Sequence, residues 1–311
     1  MRIGVVIDAS CDLPRSYLEE HGIHVLPNLL SLGGKRVLDD RDPDKTMQIY
    51  RRYLTDRELP CSSAPWASED MAQLFLEQVV PRYDRVLVIA PDAARSDVFQ
   101  QATEASYAIL QTYRERREKA GRSGTFALRV LDSGSLGAGH GLLAWRASSL
   151  ARAGGMPFEK YRAALSADAA RTRCLIVPGD LYYLRTRGLG RPGEGLGTGA
   201  YALGKMAGLQ PVLEVTGKDL AVVARGRGFQ AAASAALDMA RQALRAGIGP
   251  PAVVLSFGGD PRILRDLPAY QDLEAQAASQ RVELHLAVMS ATLGTRLGPG
   301  ALSLAWIESE D

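Results

Sequence analysis

The chain has 311 residues, 46% hydrophobic and 23% charged, a globular composition that excludes a disordered, collagen-like or rod-like chain. At roughly 100–200 residues per domain, this length predicts two domains. The 37 basic and 35 acidic residues leave a net charge of +2 with no basic block, which argues against a nucleic-acid partner.

Residues 2–7 (RIGVVI) form a short apolar run ending at Asp8, the pattern of a buried strand. Asp12-Leu13-Pro14 predicts a helix start with Asp12 as N-cap. Residues 23–32 are strand material broken by Pro27, and Asp42-Pro43 opens a second helix with Met47, Ile49, Tyr50, Tyr53 and Leu54 on its apolar face. Residues 57–67 are expected to be a loop and 68–82 a helix. A strand at 85–90, a long helix at 96–119, a strand at 127–132 and helical sequence to Arg152 follow. This alternation predicts a parallel sheet with helices on both faces. Ala153-Gly154-Gly155-Met156-Pro157 is the expected break, dividing the chain into 1–156 and 157–311. The second part predicts a mixed α/β domain, with strands near 174–178, 211–216, 220–224, 252–257 and 282–289 and helices near 158–171, 227–246 and 268–280.

No apolar run reaches the roughly 18 residues of a spanning helix, and Asp8 comes too soon for a signal-peptide core. A cytoplasmic protein without stable membrane insertion is expected. Cys11, Cys61 and Cys174 are widely spaced, without a Cys-x-x-Cys pair, so neither a disulfide framework nor a zinc site is expected. His21, His24, His140 and His285 are scattered and form no metal-binding motif. No metal or cofactor is expected.

Three local patterns invite functional readings that the sequence supports poorly. Gly188-Leu189-Gly190-Arg191-Pro192-Gly193 has dinucleotide spacing, but a short helix rather than a strand is predicted before it. Six of residues 188–199 are glycine, so chance produces the match easily, and a surface loop is the expectation. Asp132-Ser133-Gly134-Ser135 precedes a helix near His140, but lacks the Gly-x-Ser-x-Gly spacing of a nucleophile elbow. Helix capping by Ser133 or Ser135 is expected instead. Cys61 has no histidine near it in sequence and is read as a small, partly buried loop residue.

A set of segments spread along the chain is more specific. It comprises Asp8-Ala9-Ser10-Cys11-Asp12-Leu13-Pro14, Gly22-Ile23-His24-Val25-Leu26-Pro27, Leu59-Pro60-Cys61-Ser62-Ser63-Ala64-Pro65, Val130-Leu131-Asp132-Ser133, Tyr183-Leu184-Arg185 and Leu297-Gly298-Pro299-Gly300-Ala301-Leu302. In this order and spacing the set resembles the DegV family of bacterial fatty-acid-binding proteins, over nearly the whole chain. The resemblance implies a two-domain α/β fold with a long-chain fatty acid enclosed within it and the carboxylate held by hydroxyls. By position those hydroxyls are Ser62 and Ser96. Ser96 also lies between a strand and a long helix, where free N–H groups and the helix dipole favour an anion. Some family members present the acid to a separate fatty acid kinase, with an Arg and a His beside the carboxylate. The Arg corresponds to Arg225, and the His position holds Arg296, which keeps positive charge but cannot shuttle a proton. The expected ligand-binding set is therefore Ser62, Ser96 and Arg296, converging on one point, with Arg225 nearby.

The chain departs from the family pattern at Ala9, Ser62, Ala64 and Asp97, and through residues 187–199. Asp97 opposes an anionic ligand unless Arg95 or Arg296 offsets it. The expected role is a non-catalytic carrier. Its rivals are a serine-dependent acyl-ester hydrolase and a phosphate- or nucleotide-binding module built on residues 188–199. A long acyl chain suits the carrier, because each buried methylene is worth roughly 0.8 kcal/mol.

Overall fold

The computed structural model describes residues 1–189, 208–216 and 219–310. Strands β1 (Ile3–Asp8), β2 (His24–Leu26), β6 (Arg85–Ala90) and β7 (Ala127–Asp132) form a parallel sheet in the order β2-β1-β6-β7. Val5 and Ile7 of β1 pack into one core and Val6 into another; Leu87 and Ile89 of β6 separate from Val86 and Val88 in the same way. Strand residues alternate between faces, so a sheet covered on both sides needs an unbroken apolar run. That is why 2–7 and 85–90 read as continuous hydrophobic segments.

A second sheet of six strands has the order β10-β9-β8-β13-β11-β12. Its members are β8 (Thr172–Val177), β9 (Leu209–Thr216), β10 (Asp219–Arg227), β11 (Ala252–Phe257), β12 (Glu283–Val288) and β13 (Leu302–Ile307). Only β11 and β12 pair in parallel within it. A third, antiparallel sheet joins β3 (Asn28–Leu32) to β4 (Lys35–Asp39) on one side and β5 (Cys61–Pro65) on the other. The architecture is thus mixed α/β, with a parallel sheet built first and a mixed sheet second.

The helix Gly137–Ala153 packs against β1 of the parallel sheet and against β11 and β13 of the mixed one. Its glycines permit this double contact: a Cβ at Gly141 would come within 2.8 Å of the Asp12 carbonyl oxygen. One apolar cluster runs through the interface, from Val5 and Ile7 through Leu142 to Ile176, Val254 and Ala305. The three-stranded sheet likewise packs Leu30 and Leu32 against Ala291. If 1–156 and 157–311 are two domains, they share core across their boundary.

Several expectations need correction. Asp12 caps no helix; the helix begins at Arg15 after Pro14, and Asp12 is wholly buried. Residues 57–67 are not all loop, because Cys61–Pro65 pairs with β3 as a half-exposed strand whose polar sequence carries no hydrophobic alternation. The expected helix 96–119 is interrupted: Val98–Ala108, a tight turn at Ile109–Gln111, then Tyr113–Lys119. Strands β4 and β13 and the helix Ala291–Leu297 were not expected. By contrast, Asp42 caps the helix Pro43–Arg52, accepting from the N–H groups of Asp44 and Lys45 at 3.0 and 2.9 Å.

Candidate functional site

The parallel sheet reverses its strand order between β1 and β6, since β2 lies outside β1 and β7 outside β6. Loops leaving such adjacent strands diverge and open a crevice at their C-terminal ends, where ligands of open α/β sheets bind. A cavity of about 340 Å³ lies there. Its wall takes Asp8 and Ser10 from the end of β1, residues 91 and 93–97 after β6, and Leu136 and Gly137 after β7. Asn28 and Ser63 of the small sheet and Thr292, Leu293 and Arg296 of the helix Ala291–Leu297 close it.

A buried polar network fixes this wall. Asp8 accepts from the Ser10 hydroxyl at 2.8 Å, the Ser10 N–H at 3.1 Å and Asn28 Nδ2 at 2.7 Å. Asn28 Nδ2 also donates to Thr292 Oγ1 at 3.4 Å. The N–H and hydroxyl of Thr292 both donate to Asp39 at 2.8 Å. Asp12 accepts from the Ser290 N–H at 2.8 Å and the Ser256 hydroxyl at 2.5 Å. Arg41, 3.5 Å from Asp12, donates to the carbonyl oxygens of Leu13 and Val288. The helix that carries Arg296 is therefore held at its start by carboxylates from the first 40 residues. Burial raises the pKa values of Asp12 and Asp39, while the Arg41 charge opposes the rise.

His140 stands behind Asp8. Its Nε2 lies 2.9 Å from the Ile89 carbonyl oxygen and its Nδ1 3.5 Å from Asp8. Burial lowers its pKa, with the Asp8 charge opposing. Neither nitrogen faces a serine of the cavity, so the histidine is a structural partner of Asp8 rather than a base for a serine nucleophile. Ser133 and Ser135 do not cap the following helix as expected. Ser133 instead closes a tight turn, accepting from the Ser135 N–H and donating to its carbonyl oxygen, both at 3.2 Å.

The predicted site residues divide two and two. Ser96 and Arg296 line the same cavity. Ser96 sits just before the helix Val98–Ala108, its Oγ 3.4 Å from the Val98 N–H. Ser62 of β5 does not reach this cavity: it pairs with Ser31 of β3, is exposed, and faces a separate cleft beside Arg187 and Tyr182. Its neighbour Ser63 points to the other face and lines the cavity. Arg225 is exposed on β10, the outer strand of the mixed sheet, and is not part of the cavity wall. The four-residue convergence expected from the sequence is thus not what the geometry gives. Cys61 lies on β5 rather than in a loop; burial pushes its thiol pKa up, against the pull of Arg187. Of the Gly-rich stretch, residues 190–199 lie outside the described residues.

Arg296 is half-buried and lacks an ion-pair partner among the described residues. Burial alone lowers its pKa. Arg95, one of the two cations expected to offset Asp97, is buried and ion-paired with Asp92. Asp97 itself is exposed at the cavity edge. Sequence reasoning missed Asn28, Ser63 and Thr292. The sequence of β5 gave no hydrophobic signal for Ser63; Asn28, buried at the start of the largely apolar strand β3, was the available clue to a buried polar site. Among the described residues, no group of three or more His, Cys, Asp or Glu side chains is placed to hold a metal ion, and no helix is long and apolar enough to cross a membrane.

A profile of the family described as "Uncharacterised protein, DegV family" matches residues 2–309. A DegV domain-containing protein of Xanthomonas campestris is 35% identical over 306 residues, covering 98% of this chain and 97% of the relative. The fold is similar to that of a stearic acid-binding protein of Eubacterium ventriosum, with a TM-score of 0.78, 21% identity and coverage of 99% and 98% of the two chains. It is also similar to the Streptococcus pneumoniae fatty acid kinase B3 protein loaded with linoleic acid, with a TM-score of 0.72, 17% identity and 99% coverage of each chain.

Proposed function

The chain belongs to the DegV family, and from that premise we propose that it binds a long-chain fatty acid in the cavity at the ends of β1 and β6. The carboxylate is held by Arg296 and by the hydroxyls of Ser96 and Ser63, the latter in place of Ser62. The observation that carries this reading is Arg296, a half-buried guanidinium without a counter-charge among the described residues, in the wall of a cavity that also contains Leu136, Leu189 and Leu293. A charge removed from water without a partner is costly. A ligand carboxylate offsets that cost through a charge-assisted, two-pronged hydrogen bond. The three leucines belong to the core cluster between the two large sheets, which gives an acyl chain an apolar path. Fourteen methylenes would contribute about 11 kcal/mol before the costs of association. Chain burial therefore dominates affinity, and Arg296 fixes orientation.

The role is that of a carrier without turnover of its own, since His140 turns toward Ile89 and Asp8. Presentation of the acid to a separate kinase is supported by the likeness to the Streptococcus protein and by one local feature. Ala93 and Asp97, which line the head-group end, are exposed, so that end reaches the surface. Arg296 would then hold charge during transfer and move no proton.

Calorimetric titration of delipidated protein with palmitate tests the binding. Saturable one-to-one binding, at least tenfold tighter than that of 1-hexadecanol, is expected. Unsaturable uptake, or equal affinity for the alcohol, would refute it.

A further inference from the structure

The helix Ala291–Leu297 has only seven residues. Isolated helices shorter than about 12–15 residues are marginal in water, so a helix this short depends on tertiary contacts for its shape and place. What anchors it therefore decides where Arg296 leaves the backbone. Residues of the first half of the chain supply that anchoring. The Ser290 N–H, just before the helix, donates to Asp12 at 2.8 Å. Gly294 lies so close to the Tyr50 hydroxyl that a Cβ there has no room. Thr292 donates its N–H and its hydroxyl to one oxygen of Asp39, each at 2.8 Å.

The Asp39 contact stands in a special relation to the cavity. Thr292 and Arg296 both line it, and residues four apart share one helix face. Asp39 is 2% exposed at the end of β4 and is not part of the cavity wall. It fixes a wall residue on the face of Arg296 without touching a ligand itself. The turn after β4 is fixed in its own right. Arg41 is buried and has φ +64°, a left-handed backbone that is unfavourable for a residue with a Cβ. Such strain persists where the surroundings over-determine it. Here the Arg41 N–H donates to Asp39 at 3.4 Å, and its guanidinium donates to the carbonyl oxygens of Leu13 and Val288 at 3.2 and 2.9 Å. Asp39 is thus tied to the loop after β1 and to the end of β12.

Resting on the fatty-acid reading, we infer that Asp39 is the positioning residue of Arg296: by anchoring Thr292 it sets the guanidinium where a ligand carboxylate meets it two-pronged, and so gives the site its preference for an acid over a neutral lipid of equal length. A two-pronged bond demands geometry as well as charge, so a loosened helix loses the head-group bond first. The apolar path keeps Leu136 and Leu189, which this helix does not carry.

The test is a double-mutant cycle. Asp39→Asn keeps the shape of the side chain and removes its charge. It is made in the wild-type protein and in Arg296→Met, and each delipidated protein is titrated calorimetrically with palmitate and 1-hexadecanol. In the wild-type background Asp39→Asn should weaken palmitate about tenfold, near the worth of one hydrogen bond to a charged group, and leave 1-hexadecanol unchanged. In Arg296→Met it should weaken palmitate no further, because the two residues act as a unit. Thr292→Val removes the hydroxyl donor and should act as Asp39→Asn does, while Thr292→Ser keeps both donors and should bind like wild type. This second pair carries the cycle should Asp39→Asn fail to fold. An equal loss for the alcohol, or the same loss in the Arg296→Met background, makes Asp39 a merely structural residue: the inference is then overturned and the fatty-acid reading stands. If the wild type binds no palmitate, both fail.

Discussion

Replacing Arg296 by Met keeps an unbranched stem as long as the arginine's up to Nε and removes the charged guanidinium head. In the free protein this change relieves a half-buried cation that no carboxylate offsets among the described residues. Delipidated Arg296→Met should therefore be no less stable than wild type, and a gain of about 1 kcal/mol would raise its melting temperature by about 2 °C. Binding should respond in the opposite sense. A hydrogen bond to a charged group is worth about 1.5–3 kcal/mol, which corresponds to a roughly 10- to 150-fold loss of affinity for palmitate. The loss should be the same for laurate, because the residue acts on the head group and not on the chain. It should be absent for 1-hexadecanol. Calorimetry across these three ligands, with thermal melts of the delipidated proteins, measures each part. An equal loss for the alcohol would show that Arg296 acts through packing. A melting temperature several degrees below wild type would show that its charge has a partner and that the cavity carries no unmet cation.

Four further outcomes follow from the same geometry. Ser63→Ala should weaken palmitate binding by about 1 kcal/mol while Ser62→Ala changes it little, since only Ser63 lines the cavity; the reverse ranking would contradict the strand register. Asp39→Ala leaves the Thr292 N–H and hydroxyl without their acceptor, and should lower stability by about 3 kcal/mol in urea unfolding. Gly137 has φ +51°, and a Cβ there would lie 2.7 Å from Leu293 Cδ2 and 3.1 Å from Asp12 Oδ2. Gly137→Ala should cost about 2 kcal/mol by the same measurement, and an unchanged midpoint would disprove the close packing. Burial would raise the Asp84 pKa, but hydrogen bonds from the Arg2 N–H, Arg122 and Arg117 outweigh it and bring the value to about 2 from 3.8. The unfolded chain takes up its proton first as pH falls, so this stabilisation is full above about pH 4 and is lost through pH 2. Asp84→Asn should be less stable at pH 7 and show a flatter stability curve between pH 4 and 2.

The sequence was most legible where burial imposes a pattern. The segments 2–7 and 85–90 are apolar throughout because both faces of the parallel sheet are covered, and their strands lie almost where the hydrophobic runs do. Strand β5 was illegible because Cys61–Pro65 is half-exposed and its serines carry no alternation. The resemblance assigned the hydroxyl to Ser62 by position, whereas the strand register turns Ser63, one residue and therefore one sheet face away, toward the cavity. Asp12 was misread because its local sequence suits a helix cap, while its actual partners, Ser256 and Ser290, lie more than 240 residues away in the chain. The same holds for Asn28 and Thr292, whose pairing exists only once the small sheet packs on the helix carrying Arg296. Ser96 and Arg296, both in the cavity wall, were reached through their positions in the family resemblance, Ser96 between a strand and a helix and Arg296 two residues before Gly298-Pro299-Gly300.

Mass spectrometry of an organic extract from the denatured, freshly purified protein tests the central claim most directly. The account predicts a free long-chain fatty acid at close to one equivalent per chain in the wild type, and much less in Arg296→Met purified alongside. An extract without fatty acid, or one containing nucleotide in its place, would contradict it.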